Sequence, residues 1–245
     1  MMHGQKEHDP QSGRRPILRR ATPVAVLTGA GVSAESGVPT FRGQGGLWRS
    51  YRAEDLATPQ AFRRDPELVW QWYGWRRGLV GACRPNAAHV ALAEMEQALD
   101  DFVLVTQNVD GLHRLAGSRR VLELHGNIWR LRCTRECRPP WEDRRDPLPE
   151  IPPRCPACGA LARPDVVWFG EALPGGVLAE AMDASRRCEL MLVVGTSALV
   201  QPAASLPLLA LDNGAHLVEI NPQATPLSHL AGEVHGFPGP EMLAG

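Results

Sequence analysis

Two close pairs of cysteines carry the strongest chemical signal in the sequence. Cys133 and Cys137 are separated by three residues, and Cys155 and Cys158, seventeen residues further on, are separated by two. Thiolates paired in this way form a tetrahedral cage that favours zinc. Because four protein ligands leave the metal no open position, we expect one structural Zn²⁺ rather than a catalytic ion. Free thiols or a redox pair are the alternatives.

A histidine at the end of an apolar run is the candidate for proton transfer. His125 lies in the segment Glu123-Leu124-His125-Gly126-Asn127. Histidine is the side chain best suited to accept a proton near neutral pH. A single histidine is also compatible with a structural role, so its surroundings must decide between the two.

Amide and carboxylate side chains follow another apolar run, which ends at Thr106. Gln107, Asn108 and Asp110 come directly after it. Ligands of open α/β sheets bind at the carboxyl ends of the strands. Amides beside a carboxylate suit the recognition of a carboxamide and of ribose hydroxyls. Asn108 and Asp110 are equally suited to form a turn or to cap a helix, and both interpretations stay open.

A glycine-rich turn follows the first apolar run and contains Gly29, Ala30, Gly31 and Ser33. Glycines let the backbone approach a pyrophosphate, and a helix that follows directs its N–H groups and positive dipole end at the phosphates. A tight turn without a ligand is the alternative. No acidic residue ends a second strand about 20 residues later, where a dehydrogenase holds the adenine ribose, and this counts against hydride transfer.

Two more turns at strand ends carry hydrogen-bonding side chains. Gly195, Thr196 and Ser197 form the first, and Asn221 and Pro222 belong to the second. Both suit the hydroxyls of an adenosine, although either alone could be a plain turn.

Short strands and helices alternate along the chain and position these residues. Apolar runs predict strands that begin at Val24 and that span Phe102 to Thr106, Val121 to Leu124, Leu190 to Val194 and His216 to Ile220. Helices are predicted from Asp65 to Gly78, from Asn86 to about Leu99, from Gly175 to Arg187 and from Pro202 to Leu211. This alternation predicts an α/β fold with a Rossmann-like parallel sheet. Residues 43–84 interrupt it as a loop plus helical module, and residues 130–164 form a cysteine-bearing insert with too few apolar residues to fold alone.

Composition excludes several other classes of protein. The chain has 245 residues, 44% of them hydrophobic, and a net charge of -1, which gives no global case for binding nucleic acid or an anionic membrane. No apolar run approaches the ~20 residues of a membrane helix. We expect residues 1–20 to be a disordered tail without a secretory signal. Because the six cysteines do not suggest a secreted disulfide scaffold, a cytoplasmic location is expected.

In this order, the motifs resemble those of the sirtuin family of NAD-dependent protein lysine deacylases. The run from Gly29 to Gly43 (GAGVSAESGVPTFRG) is similar to the opening signature of the family almost letter for letter. The segments 107–110, 124–127, 195–197 and 220–222 and the cysteine pairs follow in family order. The likeness covers roughly Val24 to Pro222, so residues 21–245 are expected to form one sirtuin-like catalytic domain.

The resemblance implies a mechanism with NAD as co-substrate. NAD is expected in an inverted orientation in the Rossmann-like pocket, with its nicotinamide near Asn108 and Asp110. The acyl oxygen of the substrate lysine attacks the ribose carbon as nicotinamide leaves, and His125 acts as general base on a ribose hydroxyl. These three residues are the implied catalytic set. The products are nicotinamide, the free lysine and O-acyl-ADP-ribose.

The resemblance also implies a lid and a groove for the substrate. Phe41 and Arg42 are expected to contact NAD from a lid that extends from Thr40 to Leu47. Acylated-lysine proteins or peptides are the expected partners and bind as an added strand along residues 167–171, in contact with Val167 and Phe169. The expected partners include neither a membrane nor nucleic acid. Further NAD contacts are expected from Gly29, Ala30, Gly31, Ser33, Gln107, Gly195, Thr196, Ser197, Asn221 and Pro222.

The segment from Asp65 to Arg76 resembles one class of sirtuins, which removes succinyl, malonyl and glutaryl groups. In that class a tyrosine and an arginine three residues later bind the distal carboxylate, and this implies the same role for Tyr73 and Arg76. Positions three apart share a helix face, and a guanidinium forks onto a carboxylate with two charge-assisted bonds. The alternative is that Tyr73 packs in the core and Arg76 is a surface cation.

Two other functions remain open at the level of sequence. The same fold could transfer mono-ADP-ribose to protein by cleaving the same glycosidic bond. A non-catalytic module that binds NAD or nucleic acid is the third hypothesis, since arginines surround the cysteine pairs. These arginines are Arg130, Arg132, Arg135 and Arg138.

Overall fold

The structure is a computed structural model of the chain, and it describes residues 19–39, 47–48 and 51–236. Nearly all of the predicted tail (1–20) lies outside the described residues, and so does most of the predicted lid. Phe41 and Arg42 are among the residues that are not described.

The described residues form a central sheet, a group of helices and a small second sheet. The strands are β1 (Val24–Thr28), β2 (Leu47–Trp48), β3 (Tyr51–Arg52), β4 (Phe102–Thr106), β5 (Val121–Glu123), β6 (Gly126–Cys133), β7 (Trp141–Glu142), β8 (Ala162–Val166), β9 (Leu190–Val194), β10 (His216–Ile220) and β11 (Glu233–His235). The helices are α1 (Ala53–Leu56), α2 (Pro59–Arg64), α3 (Pro66–Ala82), α4 (Ala87–Ala98), α5 (Leu112–Leu115), α6 (Gly175–Arg187) and α7 (Ser205–Asp212).

The central sheet has six parallel strands in the order β11-β10-β9-β1-β4-β5. All five residues of β1 and of β9 are buried, because helices cover both faces of the sheet. Alternate residues of β1 point to opposite faces, so that Leu27 packs with α6 and α7 whereas Val26 packs with α4. The predicted α/β fold with a parallel sheet is confirmed.

The sequence located three of the six central strands to the residue. β4, β9 and β10 have the predicted bounds, and β5 ends one residue earlier than predicted, at Glu123. β11 was not predicted. It has three residues, and the only apolar one among them, Val234, is 50% exposed, so no apolar run marks this strand.

Helix α3 is longer than the pattern indicated. Asp65 caps it by accepting a hydrogen bond from the Leu68 N–H at 2.9 Å, and Pro66 occupies its first turn. The helix passes the predicted end at Gly78 and continues to Ala82. Tertiary packing explains the difference, because Val80 lies beyond the predicted end and belongs to the buried cluster that joins α3 to β6. This packing outweighs the low helix propensity of Gly78 and Gly81.

The cysteine-bearing insert is built on the antiparallel sheet β7-β6-β8. Its apolar side chains do not form a separate core. Ile128 and Leu131 from β6 belong to one buried cluster with Trp70, Trp72 and Tyr73 of α3. The helical module and the insert thus stabilise each other, and β6 begins directly after His125.

Candidate active site

The loops that follow the central strands meet at one edge of the sheet. Backbone hydrogen bonds tie these loops to their neighbours: Gly29 N–H donates to Val194, Gln107 N–H to Thr28, and Gly195 N–H to Ile220. The predicted site residues after β1, β4, β9 and β10 therefore lie at the carboxyl edge, where ligands of open α/β sheets bind.

The turn after β1 differs from the prediction. We expected a helix that directs its N-terminus at a pyrophosphate, and this was wrong: the turn contains only a four-residue 3-10 helix, Ala30–Ser33. The cause is a close approach between two loops. Gly31 N–H donates to the Gly195 carbonyl at 2.7 Å, and a Cβ on Gly31 would lie 2.7 Å from the same oxygen. The glycine allows this contact because it has no Cβ.

Asn108, Asp110 and Ser33 form a hydrogen-bonded cluster between the first and fourth strands. The Asn108 amide donates to the Gly29 carbonyl at 3.0 Å and to the Ser33 hydroxyl at 3.2 Å. Ser33 donates to Asp110 Oδ2 at 2.8 Å. The other carboxylate oxygen accepts from the Leu112 N–H at 2.8 Å, so Asp110 also has the capping role that the sequence left open.

Gln107, Thr196 and Asn221 join the loops after β4, β9 and β10. Gln107 Nε2 donates to Thr196 Oγ1 at 2.9 Å, and Asn221 Nδ2 donates to the Thr196 carbonyl at 2.9 Å. Thr196 is buried, Ser197 is half-buried and Pro222 is exposed. The structure thus brings the three predicted strand-end turns together on one surface.

His125 is oriented by a backbone carbonyl. Its Nδ1 lies 2.8 Å from the Gln107 oxygen. A carbonyl only accepts hydrogen bonds, so Nδ1 carries the proton and Nε2 presents the lone pair in the neutral ring. Burial lowers the pKa of His125, and this outweighs the bond to Gln107, which raises it. The imidazole is therefore neutral and able to accept a proton at neutral pH.

The segment after β8 lies beside His125. Val167 N–H donates to the His125 carbonyl at 2.9 Å, and Phe169 N–H donates to the Ala57 carbonyl at 2.9 Å. Val167 is half-buried and Phe169 is 52% exposed. This segment spans the space between the central sheet and the helical module, where the substrate strand was predicted.

Tyr73 and Arg76 have different degrees of burial on α3. Tyr73 is 2% exposed, and its hydroxyl accepts a hydrogen bond from Trp168 Nε1 at 2.9 Å. Burial raises the pKa of Tyr73 to about 12, so the phenol keeps its proton. Arg76 is half-buried with its guanidinium 5.3 Å from the centre of the Trp72 ring. Burial lowers the pKa of Arg76, whereas attraction to Tyr73 and Asp110 raises it.

Two buried histidines beneath the site were not predicted. His89 Nε2 lies 3.4 Å from the Ser33 hydroxyl, and His113 Nε2 lies 2.9 Å from Thr28 Oγ1. Their ring centres are 4.8 Å apart. Polar residues on an otherwise apolar helix face, such as His89 in α4, were the available signal. Burial lowers the pKa of both rings, that of His113 to about 3.

The buried histidines lead to a prediction about acid stability. A folded-state pKa below the ordinary value means that the unfolded chain binds more protons, so this contribution to stability is complete above about pH 6.5 and is lost as the pH falls towards 3. Between pH 6.5 and 5 the stability that neutral His113 contributes falls by about 2 kcal/mol. We expect the free energy of unfolding, measured with urea, to fall over this range, and to fall less in His113→Gln. The matched control is His229→Gln, which changes an exposed histidine. If the pH dependence of the unfolding free energy weakens equally in that variant, the effect does not come from His113.

The four cysteines of the insert converge as predicted. Their sulfur atoms all lie within 4.8 Å of one another, with Sγ–Sγ distances of 3.5 Å between Cys133 and Cys158 and 3.3 Å between Cys137 and Cys158. A tetrahedral Zn²⁺ with bonds of ~2.3 Å separates its sulfur ligands by about 3.8 Å. The residues therefore fit one zinc ion with four thiolate ligands. Cys83 and Cys188 lie elsewhere and are buried.

Two of the four arginines around the cysteines, Arg130 and Arg132, form ion pairs with acidic side chains. Arg130 forms ion pairs with Glu123 and Asp165 at 3.0 Å each, and Arg132 pairs with Glu136 at 3.2 Å.

Within the described residues, no helix is both long enough and apolar enough to cross a membrane.

A parallel α/β sheet with a polar site at its carboxyl edge is typical of dinucleotide-binding proteins, and this chain adds a tetrathiolate insert. The sequence profile described as "Sir2 family" matches residues 29–202. The chain belongs to this family, and the predicted family resemblance is confirmed.

Individual relatives are similar over most of their length. "NAD-dependent protein deacylase 1" of Caldanaerobacter subterraneus subsp. tengcongensis is 55% identical over 219 residues, which cover 88% of this chain and 90% of the relative. A crystal structure of a Sir2 homolog–NAD complex is 52% identical with a TM-score of 0.82, covering 89% of this chain and 86% of the other. A Sir2 variant with a deacetylated p53 peptide and 3′-O-acetyl-ADP-ribose is 36% identical with a TM-score of 0.76, covering 87% of each chain.

Proposed function

We propose that this chain is an NAD-dependent protein lysine deacylase that yields nicotinamide and O-acyl-ADP-ribose. The observation that carries the proposal is the geometry of His125. Its Nδ1 is fixed by the Gln107 carbonyl, and its Nε2 is a neutral base at the edge of the sheet. The relatives named as NAD-dependent deacylases and the solved complexes with NAD and with acetyl-ADP-ribose support the same activity.

The residues at the edge of the sheet fit NAD. When bound, NAD supplies a ribose carbon that accepts the acyl oxygen as nicotinamide departs. Asn108 and Asp110 are positioned by Gly29, Ser33 and Leu112 to recognise the carboxamide. His125 removes a proton from a ribose hydroxyl through Nε2. The glycine turns at 29–31 and 195–197, together with Gln107 and Asn221, provide the walls for the phosphates and the adenosine, and Phe41 and Arg42 remain proposed contacts from the lid.

The proposed substrate, an acylated peptide, adds as a strand along Val167 and Phe169. Residues 21–245 form the catalytic domain, with the helical module at 43–84, the zinc insert at 130–164 and a tail at 1–20.

The proposed location of the protein is the cytoplasm, because a tetrathiolate zinc site and buried free thiols suit a reducing compartment. The arginines that pair with acids support the proposal that nucleic acid is not a partner.

One assay separates deacylation from protein mono-ADP-ribosylation. The protein is incubated with NAD and acetyl-, succinyl-, malonyl- and glutaryl-lysine peptides, and the products are identified by mass spectrometry. Free lysine peptide and O-acyl-ADP-ribose, formed in equal amounts with nicotinamide, are expected. NAD consumption that occurs only with attachment of ADP-ribose to protein would contradict the proposal.

The acidic acyl groups are the proposed preferred substrates, and Arg76 carries this preference. Arg76→Met should lower kcat/KM for succinyl-lysine far more than for acetyl-lysine, because only the succinyl carboxylate receives the guanidinium bonds. A lost charge-assisted contact is worth about 1.5–3 kcal/mol, or roughly tenfold to more than a hundredfold. Exposed Arg64→Met, on the neighbouring α2, is the control. Equal losses for both substrates in Arg76→Met would rule out the role of Arg76.

A further inference from the structure

The segment after β8 turns around Trp168, and one ion pair closes this turn. Arg163 donates to both carboxylate oxygens of Glu171, at 2.6 and 2.9 Å, and also to the Val166 carbonyl at 2.9 Å. Glu171 Oε2 accepts a further bond from the Trp168 N–H at 2.9 Å. The two charged side chains are only 10% and 24% exposed, so water screens the pair little. The backbone of Trp168 is therefore held firmly.

The indole ring of Trp168 is held as well. The Arg163 guanidinium carbon lies 3.3 Å from the ring centre, and the Phe62 ring centre lies 5.2 Å away. Trp168 is 2% exposed. A large ring packed in this way has a single orientation, and its N–H direction is fixed with it.

The fixed indole determines how the Tyr73 hydroxyl can bond. An indole nitrogen only donates, so the bond of 2.9 Å from Trp168 Nε1 uses an acceptor lone pair of the Tyr73 oxygen. The phenol hydrogen must then point elsewhere, and no hydrogen bond within the described part of the chain uses it. Since burial keeps the phenol protonated, Tyr73 is oriented as a donor. A carboxylate accepts hydrogen bonds, whereas the methyl end of an acetyl group does not.

We propose that Trp168 is a specificity-determining residue, which orients the Tyr73 hydroxyl as a hydrogen-bond donor for acyl groups that end in a carboxylate. Arg163 and Glu171 are the residues that position Trp168. The inference rests on the proposed preference for acidic acyl groups and adds a residue that acts through Tyr73 rather than by touching the acyl group.

The kinetic test replaces the donor and keeps the ring. Trp168→Phe should lower the succinyl-to-acetyl ratio of kcat/KM about fivefold, the magnitude of one neutral hydrogen bond. The loss should appear mainly in KM for the succinyl peptide, since the contact lies far from the reacting atoms. Trp75→Phe, on the more exposed face of α3, is the matched control and should keep the ratio of the wild type. An unchanged ratio in Trp168→Phe, or equal losses for both peptides, would overturn the inference.

A double variant tests whether Trp168 acts through Tyr73. Tyr73→Phe removes the hydroxyl and should lower the ratio at least as much as Trp168→Phe. The double variant should then show no further loss, because without the hydroxyl the indole has nothing to orient. Losses that multiply would mean that the two residues act independently, and would overturn the inference even if each single variant lost selectivity.

A spectroscopic readout is independent of catalysis. The chain contains only two tyrosines, so ¹³Cζ-tyrosine labelling gives two resonances, which Tyr73→Phe assigns. The Tyr73 resonance should shift in Trp168→Phe but not in Trp75→Phe, and succinyl-lysine peptide should shift it in the wild type. If the wild type is selective but Trp168→Phe keeps both its ratio and its Tyr73 shift, only this inference fails. If the wild type does not prefer acidic acyl groups, the proposed preference and the inference fail together.

Discussion

Replacement of His125 by asparagine is expected to abolish nearly all deacylation. The introduced side-chain amide can still donate to the Gln107 carbonyl, so the loop should keep its shape, but an amide cannot accept the ribose proton. Loss of a general base costs about 10²- to 10⁴-fold. We expect kcat for acetyl- and succinyl-lysine peptides to fall by this factor, measured as release of free lysine peptide, with NAD still bound in calorimetry.

Two comparisons make the His125 result specific. Exposed His229→Asn should retain full activity. In the wild type, the acidic limb of the kcat/KM profile should lie below pH 6.5, because burial lowers the pKa of His125 and the neutral base persists at lower pH. His125→Asn with normal kcat would show that the imidazole is not the base, and would favour the non-catalytic binding module.

The middle of the sheet was predictable because its strands are buried on both faces. Fully buried parallel strands appear in sequence as continuous apolar runs, and β4 and β9 were located to the residue. β10 was also located to the residue, although only Leu217 and Glu219 in it are buried. Local patterns fail where distant contacts decide the structure. The length of α3 depends on the burial of Val80 against β6, and the 3-10 turn depends on contact between Gly31 and Gly195. Neither partner is visible from the local sequence.

The candidate site follows the same rule. The predicted residues Asn108, Asp110 and Ser33 meet because the carboxyl ends of parallel strands share one edge. Their support was harder to predict. His89 left a signal as a polar residue on an apolar helix face, whereas Trp168 reaches Tyr73 only through the packing of a loop. A residue that acts through a neighbour leaves no spacing pattern of its own in a sequence.

Removal of one zinc ligand is expected to unfold the insert and to damage the acyl pocket with it. Cys155→Ala replaces a buried thiolate in the cluster of four. A structural zinc site contributes about 10–16 kcal/mol in isolated zinc fingers, as much as the whole stability of many domains. Because the insert shares its core with Trp70, Trp72 and Tyr73 of α3, its loss should also displace the tyrosine of the acyl pocket. We expect zinc content to fall from one ion per chain to near zero, with a large drop in Tm.

The matched control for the zinc site is Cys83→Ala, which removes a buried thiol outside the cluster. It should retain one zinc per chain, the Tm of the wild type to within a few degrees, and activity. If zinc and Tm are lost in Cys155→Ala but not in Cys83→Ala, the four cysteines bind the metal. If the succinyl-to-acetyl ratio of kcat/KM falls in the same variant, the insert supports the acyl pocket through their common core. Retention of zinc and Tm in Cys155→Ala would contradict the tetrathiolate site, and equal damage in both variants would assign the effect to core packing instead.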